Sequence, residues 1–191
     1  MYNFAAVLVK WFVNTVFRIE VFGEENIPES GACMVCINHI SAWDPLVVGL
    51  SVKRQIRFLA KSELFSIPVV GWFIKSMGSI PVKRNSGDIG AVRAALGVFK
   101  SGNVLGIFPT GTRERKHKNA PVKPGVALIA AKSDVPVIPI HIITNYRLFS
   151  RVKIVIGEPV DIGDCGGKLP HRDELEKIAN KIYKRILSLG D

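Results

Sequence analysis

The chain has 191 residues, enough for one domain with a single sizeable core. Its formal net charge is +10 and hydrophobic residues make up 48% of it, a combination that favours an anionic membrane surface or a phosphate-bearing substrate. Nucleic acid is the competing partner for a basic chain. A nucleic-acid-binding protein is expected to have basic strands that also carry aromatic side chains, or a known binding module. The sequence has neither, so we expect no nucleic-acid partner.

Residues 1–18 form the first predicted element, a strongly apolar helix. Its polar residues Asn3, Lys10, Asn14 and Arg18 recur at intervals that place them in a narrow stripe along one side. The segment lacks the basic start and cleavage site of a signal peptide, and Lys10 near its middle disfavours a membrane span. We expect a helix in the membrane interface. A helix docked on the protein's own core is the alternative, and one wide apolar face can do both.

Residues 19–191 alternate predicted strands with predicted helices and contain no interdomain linker. Apolar runs predict strands at 18–22, 32–37, 56–60, 79–82, 104–108, 135–143 and 152–156. Helical periodicity and capping residues predict helices at 46–50, from Asp88 to before Gly102, at 124–132 and at 171–189, with an apolar helical or hairpin region at 61–77. The alternation predicts a single α/β domain with a mostly parallel or mixed central sheet flanked by helices.

The three cysteines predict neither a disulfide framework nor a metal site. Cys33 and Cys36 have C-x-x-C spacing, but they lie inside a predicted strand, where residues three apart point to opposite faces of the sheet. No second pair follows, and Cys165 is alone. We therefore expect buried structural thiols in a reducing compartment.

The strand at 32–37 ends in the stretch Asn38-His39-Ile40-Ser41-Ala42-Trp43-Asp44-Pro45. The Asp-Pro pair predicts the start of a helix with Asp44 as its N-cap, and a turn would let His39 and Asp44 converge. A histidine oriented by a carboxylate is a general base. Because the chain has no G-x-S-x-G elbow, we expect the nucleophile to be a hydroxyl of the substrate rather than Ser41. The alternative is a histidine that merely hydrogen-bonds a nearby aspartate.

A second polar stretch, Pro109-Thr110-Gly111-Thr112-Arg113, follows the buried strand at 104–108. Open α/β sheets bind ligands beyond the carboxyl ends of their strands. Gly111 lets the backbone approach a ligand, and its neighbouring amides can bind an anion. The Arg113 guanidinium can hold a phosphate through two bonds. Residues 115–118 continue as a basic loop, which is explained equally well as a solvated surface.

A third stretch, residues 78–84, places Lys83 and Arg84 at the end of another predicted strand. By themselves the two cations fit a phosphate contact and a surface salt bridge equally well.

Taken in order, these stretches resemble the lysophospholipid acyltransferase family, and most closely the 1-acyl-sn-glycerol-3-phosphate acyltransferases. Asn38-His39 through Asp44 matches the family pattern N-H-x4-D, and residues 78–84 match the block that ends in arginine. Residues 108–113 match F-P-E-G-T-R at every position but one, and residues 135–140 match V-P-V-x-P-V. Each block alone is degenerate, whereas four blocks in the right order are specific.

The resemblance implies the transfer of a fatty acyl group from acyl-CoA or acyl carrier protein to the sn-2 hydroxyl of lysophosphatidic acid, which gives phosphatidic acid in phospholipid synthesis. His39 would take the proton from that hydroxyl, and Asp44 would orient His39. The hydroxyl would attack the thioester directly, with no covalent acyl-enzyme, no metal and no cofactor. The resemblance also implies a monotopic or peripheral membrane protein on the cytoplasmic side of an anionic cell membrane.

Further site residues follow from the resemblance. The acceptor's phosphate would be bound by Lys61, Arg84 and Arg113. The glycine turn itself, rather than the resemblance, indicates that backbone amides of Thr110, Gly111 and Thr112 could stabilise the oxyanion. The apolar region 64–77 would line a groove for the acyl chain or meet the membrane.

Thr110 is the one departure from the family's third block, which usually carries glutamate there. Four explanations stay open: the acceptor differs, another carboxylate such as Glu114 substitutes, activity is weak, or the threonine is a substitution introduced for study. The departure keeps two alternative functions in view. One is an acyltransferase acting on glycerol 3-phosphate or another lysolipid, and the other is a non-catalytic lipid-binding membrane protein.

Overall fold

The computed structural model describes Trp11, Val13 and residues 15–82, 87–114, 121–163 and 170–191, with the backbone alone at 87–89. Several residues discussed above lie outside these ranges: Asn3, Lys10, Asn14, Lys83, Arg84, residues 115–118 and Cys165.

Seven strands of the described chain form one sheet, in the spatial order β1-β7-β6-β2-β5-β3-β4. Their bounds are β1 Arg18–Phe22, β2 Cys33–Ile37, β3 Ile56–Lys61, β4 Ile80–Val82, β5 Val104–Ile107, β6 Val137–Ile143 and β7 Arg151–Ile156. The strands β2 to β6 run parallel to one another, β7 is antiparallel to β6, and β1 is parallel to β7. The predicted α/β fold with a mostly parallel or mixed sheet is confirmed.

The helices lie between the strands as the alternation predicts. Their bounds are α1 Asp44–Ser51, α2 Pro68–Ser76, α3 Gly87–Lys100, α4 Pro124–Ser133 and α5 Arg172–Leu187, with 3-10 turns at Glu24–Asn26 and Ser62–Ser66. Ahead of the sheet, the backbone is helical at Trp11, Val13, Thr15 and Val16, which we call the N-terminal segment. Arg18, placed at the end of the predicted helix 1–18, is the first residue of β1.

The region 61–77, left open as helix or hairpin, is a 3-10 turn followed by α2. Gly71 lies inside α2, where the helix packs closely on the 3-10 turn. A Cβ atom there would collide with the carbonyl oxygen of Phe65.

Apolar side chains cover both faces of the sheet. One face packs against the N-terminal segment and α1 through Val13, Phe17, Val47 and Val48. The other face packs against helices α3, α4 and α5. Cys33 belongs to the first core and Cys36 to the second, which confirms that the two thiols point to opposite faces. Both are free and buried, and burial raises the pKa of each thiol, so neither is a ready nucleophile or metal ligand.

Five parallel strands, β2 to β6, end at one edge of the sheet, which we call the carboxyl edge. Asn38, buried just past β2, extends the pairing with β6 through its side chain. Its Nδ2 donates to the carbonyl oxygen of Ile142 at 3.1 Å, and its Oδ1 accepts from the Ile142 amide at 2.7 Å. The next residue, His39, thereby leaves the sheet at the centre of the carboxyl edge.

Candidate functional site

The Asp44 carboxylate lies at the centre of the turn between β2 and α1 and is fully buried. Its Oδ2 atom accepts hydrogen bonds from His39 Nδ1 at 2.8 Å and from the backbone amides of Ile40 and Ser41, both at 2.7 Å. The prediction that Asp44 is the N-cap is wrong, since Trp43 occupies that position and Asp44 begins α1. The carboxylate is turned back into the preceding turn, so that it binds the histidine rather than capping the helix.

The His39 imidazole is fixed on one side and open on another. Its Nδ1 donates to Asp44, an assignment that follows from the carboxylate's lack of a hydrogen to give. The ring stacks on Phe108, with centroids 4.2 Å apart, and Phe108 stacks in turn on Phe58. Nε2 makes no hydrogen bond to the described residues, and 17% of the side chain is exposed. The free lone pair on Nε2 is therefore available as a base to a group arriving from solvent.

Glu114 holds the backbone of His39 through two hydrogen bonds. Its Oε1 accepts from the His39 amide at 3.0 Å, and its own amide donates to the His39 carbonyl at 2.7 Å. The sequence suggested Glu114 only as a stand-in for the family's missing acid. Its contact with His39 depends on the adjacency of β2 and β5, for which the local sequence carries no signal.

Tyr183 of α5 interacts electrostatically with Glu114. Burial, followed by the Glu114 charge and a hydrogen bond to Glu114, raises the pKa of Tyr183 to about 12. The phenol is thus neutral at ordinary pH. Glu114, which holds the His39 backbone, therefore has an electrostatic partner on the C-terminal helix.

Thr110 and Gly111 shape the turn after β5. Thr110 is buried, and its hydroxyl donates to the Thr112 carbonyl at 2.8 Å. Gly111 has the left-handed φ of +64°, which favours glycine, and its amide donates to the Phe108 carbonyl at 2.9 Å. The threonine at the family's glutamate position therefore closes the turn with its hydroxyl.

Lys61 and Arg113 reach the same edge from neighbouring strands. Lys61 is the last residue of β3, and Arg113 follows the turn after β5, which pairs with β3. Both are partly exposed, and neither side chain makes a hydrogen bond or ion pair with the residues described. The structure thus brings two of the predicted phosphate ligands to the edge that carries His39, whereas Arg84 lies outside the described residues.

Exposed apolar side chains follow β3, a strand that ends at the carboxyl edge. They are Leu64, Ile67, Val69, Val70 and Trp72, which we call the α2 surface. Val69 is 77% exposed and Trp72 is 55% exposed, although large apolar residues are usually buried. Within the described ranges, no helix combines the length and the apolar character needed to cross a membrane.

Comparisons with known proteins agree with this geometry. The family model described as Acyltransferase matches residues 18–143. The chain is 28% identical to the 1-acyl-sn-glycerol-3-phosphate acyltransferase of Bacillus subtilis, covering 99% of this chain and 96% of that protein. It is 32% identical to the enzyme of the same name from Streptococcus pneumoniae, covering 97% and 70%.

Among solved structures, the chain is similar to the 1-acyl-sn-glycerophosphate (LPA) acyltransferase of Thermotoga maritima. The TM-score is 0.72 and the sequence identity 27%, over 99% of this chain and 81% of that one. The similarity therefore extends over the whole sheet and the turns that carry the site.

The contact between Glu114 and Tyr183 predicts a measurable titration. Glu114→Gln removes the negative charge that disfavours tyrosinate, so we expect the pKa of Tyr183 to fall from about 12 while burial keeps it above its ordinary value. Near-ultraviolet absorbance after rapid pH jumps, with Tyr183→Phe subtracted, gives this pKa. An unchanged titration in Glu114→Gln would show that the two side chains do not interact.

Proposed function

Because the chain belongs to the acyltransferase family, we propose that it moves a fatty acyl group from an acyl thioester to the sn-2 hydroxyl of lysophosphatidic acid, giving phosphatidic acid. The observation that carries the proposal is the pair of His39 and the buried Asp44, joined at 2.8 Å with Nε2 left open at the carboxyl edge. The relatives from Bacillus subtilis and Streptococcus pneumoniae bear the name of this activity, which supports the choice of acceptor.

In the proposed reaction, His39 Nε2 takes the proton of the acceptor hydroxyl as its oxygen attacks the thioester carbonyl. The negative charge of Asp44 stabilises the imidazolium that forms. Collapse of the tetrahedral intermediate breaks the carbon–sulfur bond, and the departing thiolate takes the proton back from His39. General-base assistance of this kind contributes roughly 10²–10⁴ in rate, and the positioning of two substrates contributes much of the rest.

Backbone amides of the turn after β5 would stabilise the oxyanion of that intermediate. The Gly111 amide already donates to Phe108, so the proposal narrows to the amides of Thr110 and Thr112. Gly111 then contributes its left-handed backbone, which lets the turn approach the ligand without a side chain in the way.

Lys61 and Arg113 would bind the acceptor's phosphate, together with Arg84 from beyond β4. This role is supported by the two side chains at the carboxyl edge, which have no anionic partner in the part of the chain that the structure describes. The Thr110 hydroxyl already donates to the Thr112 carbonyl within the turn. Acceptor binding would therefore depend on these cations and not on an acid at position 110. Glycerol 3-phosphate and other lysolipids share the phosphate and the hydroxyl, and they are the competing acceptors.

The function is tested by release of free thiol from acyl-CoA and from acyl carrier protein, with lysophosphatidate, glycerol 3-phosphate and other lysolipids as acceptors. We expect lysophosphatidate to be preferred. His39→Ala should lower transfer by roughly 10²–10⁴, because it removes the base. Asp44→Asn should reduce transfer less, since it keeps one acceptor oxygen but loses the charge.

Folding of these variants is checked by circular dichroism and thermal unfolding. A wild-type protein that binds lipid vesicles and releases no thiol from either donor would favour the non-catalytic lipid-binding alternative. A folded His39→Ala protein with most of its activity would exclude the proposed base.

Arg113→Ala should raise the KM for lysophosphatidate by about tenfold or more, because charge-assisted bonds to phosphate are among the strong ones. Arg113→Lys should restore only part of the loss, since lysine lacks the planar fork. Arg93→Ala, which removes an exposed cation from α3, is the matched control for net charge. An unaltered KM in Arg113→Ala would leave Lys61 and Arg84 as the phosphate ligands.

Thr110→Glu is the companion variant for the acceptor site. If the site works as the family pattern implies, restoring the acid raises transfer or leaves it unchanged. A clear fall would mean that the closed Thr110 turn belongs to a different acceptor site, and lysophosphatidate would then be the wrong substrate.

The lipid acceptor requires the carboxyl edge to face a bilayer, and we propose a monotopic or peripheral protein on the cytoplasmic face of an anionic membrane. The α2 surface offers exposed valine, isoleucine and tryptophan side chains close to the end of β3, and the chain's positive charge matches anionic lipid.

Trp11 in the N-terminal segment is 69% exposed, while Val13 two residues later is buried in the core. The segment can therefore dock on the core and meet lipid with its other side. The buried free thiols fit a reducing compartment.

Substitution of Val69 and Trp72 by alanine should weaken binding to anionic vesicles, because it removes apolar area that would enter the bilayer. Trp11→Ala should weaken binding through the N-terminal segment. Leu187→Ala, which truncates an exposed leucine near the end of α5, is the control and should bind as the wild type does. Sedimentation with vesicles at low and high salt measures the effect, and salt should weaken the charge-dependent part. If the wild type, the variant with Val69 and Trp72 replaced, Trp11→Ala and Leu187→Ala all bound equally, the α2 surface and the N-terminal segment would be excluded as membrane contacts.

A further inference from the structure

Tyr146, three residues past β6, reaches the oxygen of Asp44 that His39 leaves free. Its hydroxyl donates to Asp44 Oδ1 at 2.7 Å, while Oδ2 holds His39 Nδ1 at 2.8 Å. We propose that Tyr146 is a positioning residue for acyl transfer, which acts through Asp44 and fixes the carboxylate in the orientation that orients His39. The inference rests on the proposed function, and nothing in the sequence motifs points to this residue.

The carboxylate needs a donor at each oxygen to keep its orientation. The terminal torsion of an aspartate has a broad, two-fold preference, so this torsion by itself does not fix the plane of the carboxylate. The turn from Ile40 to Ser41 supplies amides to Oδ2 alone. Tyr146 supplies the hydrogen bond to Oδ1, and a buried charge is stable only when it is hydrogen-bonded in this way.

The backbone at Tyr146 is strained in a way that this role explains. Its φ of +51° is left-handed, a conformation that is a true outlier for a bulky residue. Such conformations persist where the surroundings impose them and concentrate at functional sites. Here the Tyr146 amide donates to Thr144 Oγ1 at 3.1 Å, and the ring packs edge-on against Phe17 with centroids 5.4 Å apart. These contacts hold the ring so that its hydroxyl reaches Asp44.

Phe17 connects this arrangement to the N-terminal segment. It is buried, its amide donates to the Val13 carbonyl at 2.8 Å, and its ring also packs edge-on against Trp43, the residue before Asp44. Phe17 thus contacts both Tyr146, which donates to Asp44, and Trp43, which precedes Asp44 in the chain.

The test is Tyr146→Phe, which keeps the ring on Phe17 and removes only the hydroxyl. We expect kcat to fall about tenfold, the change that one hydrogen bond of ordinary strength represents, with the KM values of acceptor and donor unchanged. Combined with Asp44→Asn, Tyr146→Phe should cause little further loss, since residues that act through one another are not additive. An unchanged kcat, or full additivity with Asp44→Asn, would overturn the proposal.

Leu50→Ala is the structural control. Leu50 is buried in α1, the helix that Asp44 begins, and its truncation lowers stability without removing a donor to the carboxylate. We expect a lower Tm with kcat retained. If Leu50→Ala lowered kcat as much as Tyr146→Phe at a similar loss of Tm, general loosening of the core would explain both, and the proposal would fail.

Imidazole ¹⁵N spectra separate this inference from the proposed function, because they need no turnover. The His39 signals are identified by their absence in His39→Ala. In the wild type we expect the neutral ring to carry its proton on Nδ1, and in Tyr146→Phe we expect a mixture of tautomers. If the wild type transferred no acyl group but showed this difference, the proposed function would be wrong, while the orientation of His39 by Tyr146 through Asp44 would stand. Identical His39 spectra in the two proteins would refute the positioning role, whatever the activity.

Discussion

The rest of the site depends on one constraint, the burial of the Asp44 charge. A carboxylate removed from water is stable only if donors surround it, and four groups of the described chain do so: the His39 ring, the amides of Ile40 and Ser41, and the Tyr146 hydroxyl. Meeting that requirement gives the turn after β2 its shape. The same contacts fix the tautomer of His39 and direct its free nitrogen outward. The hydrogen bonds that stabilise the buried charge therefore also orient His39 as a base.

The parallel sheet supplies the remaining support from a distance. Neighbouring parallel strands end together, so the turn after β5 lies beside the turn after β2 and brings Phe108 and Glu114 against His39. Tyr183 then connects Glu114 to α5, at the far end of the chain. His39 is held by ring stacking, by its own backbone and by Asp44, which leaves its imidazole little freedom except to exchange a proton at Nε2.

Thr110 shows how a departure from a family pattern is accommodated. A glutamate at that position would carry a negative charge, whereas the threonine is buried and its hydroxyl donates to the Thr112 carbonyl. The turn keeps its left-handed glycine and its geometry. In the proposed site, Lys61 and Arg113, whose side chains have no anionic partner among the described residues, would attract an incoming phosphate.

The sequence by itself determined the α/β class, the two-faced burial of Cys33 and Cys36, and the meeting of His39 with Asp44, because these follow from local periodicity and from a short turn. The observed helix and strand boundaries differ by a few residues from those that the sequence predicts. Asp44 is not the predicted N-cap, because its carboxylate accepts hydrogen bonds within the preceding turn. Only the tertiary structure decided the roles of Asn38, Glu114, Tyr146 and Tyr183. Each acts across strands or helices distant in the chain, and the order of strands in a sheet is set by packing of the whole core rather than by local sequence.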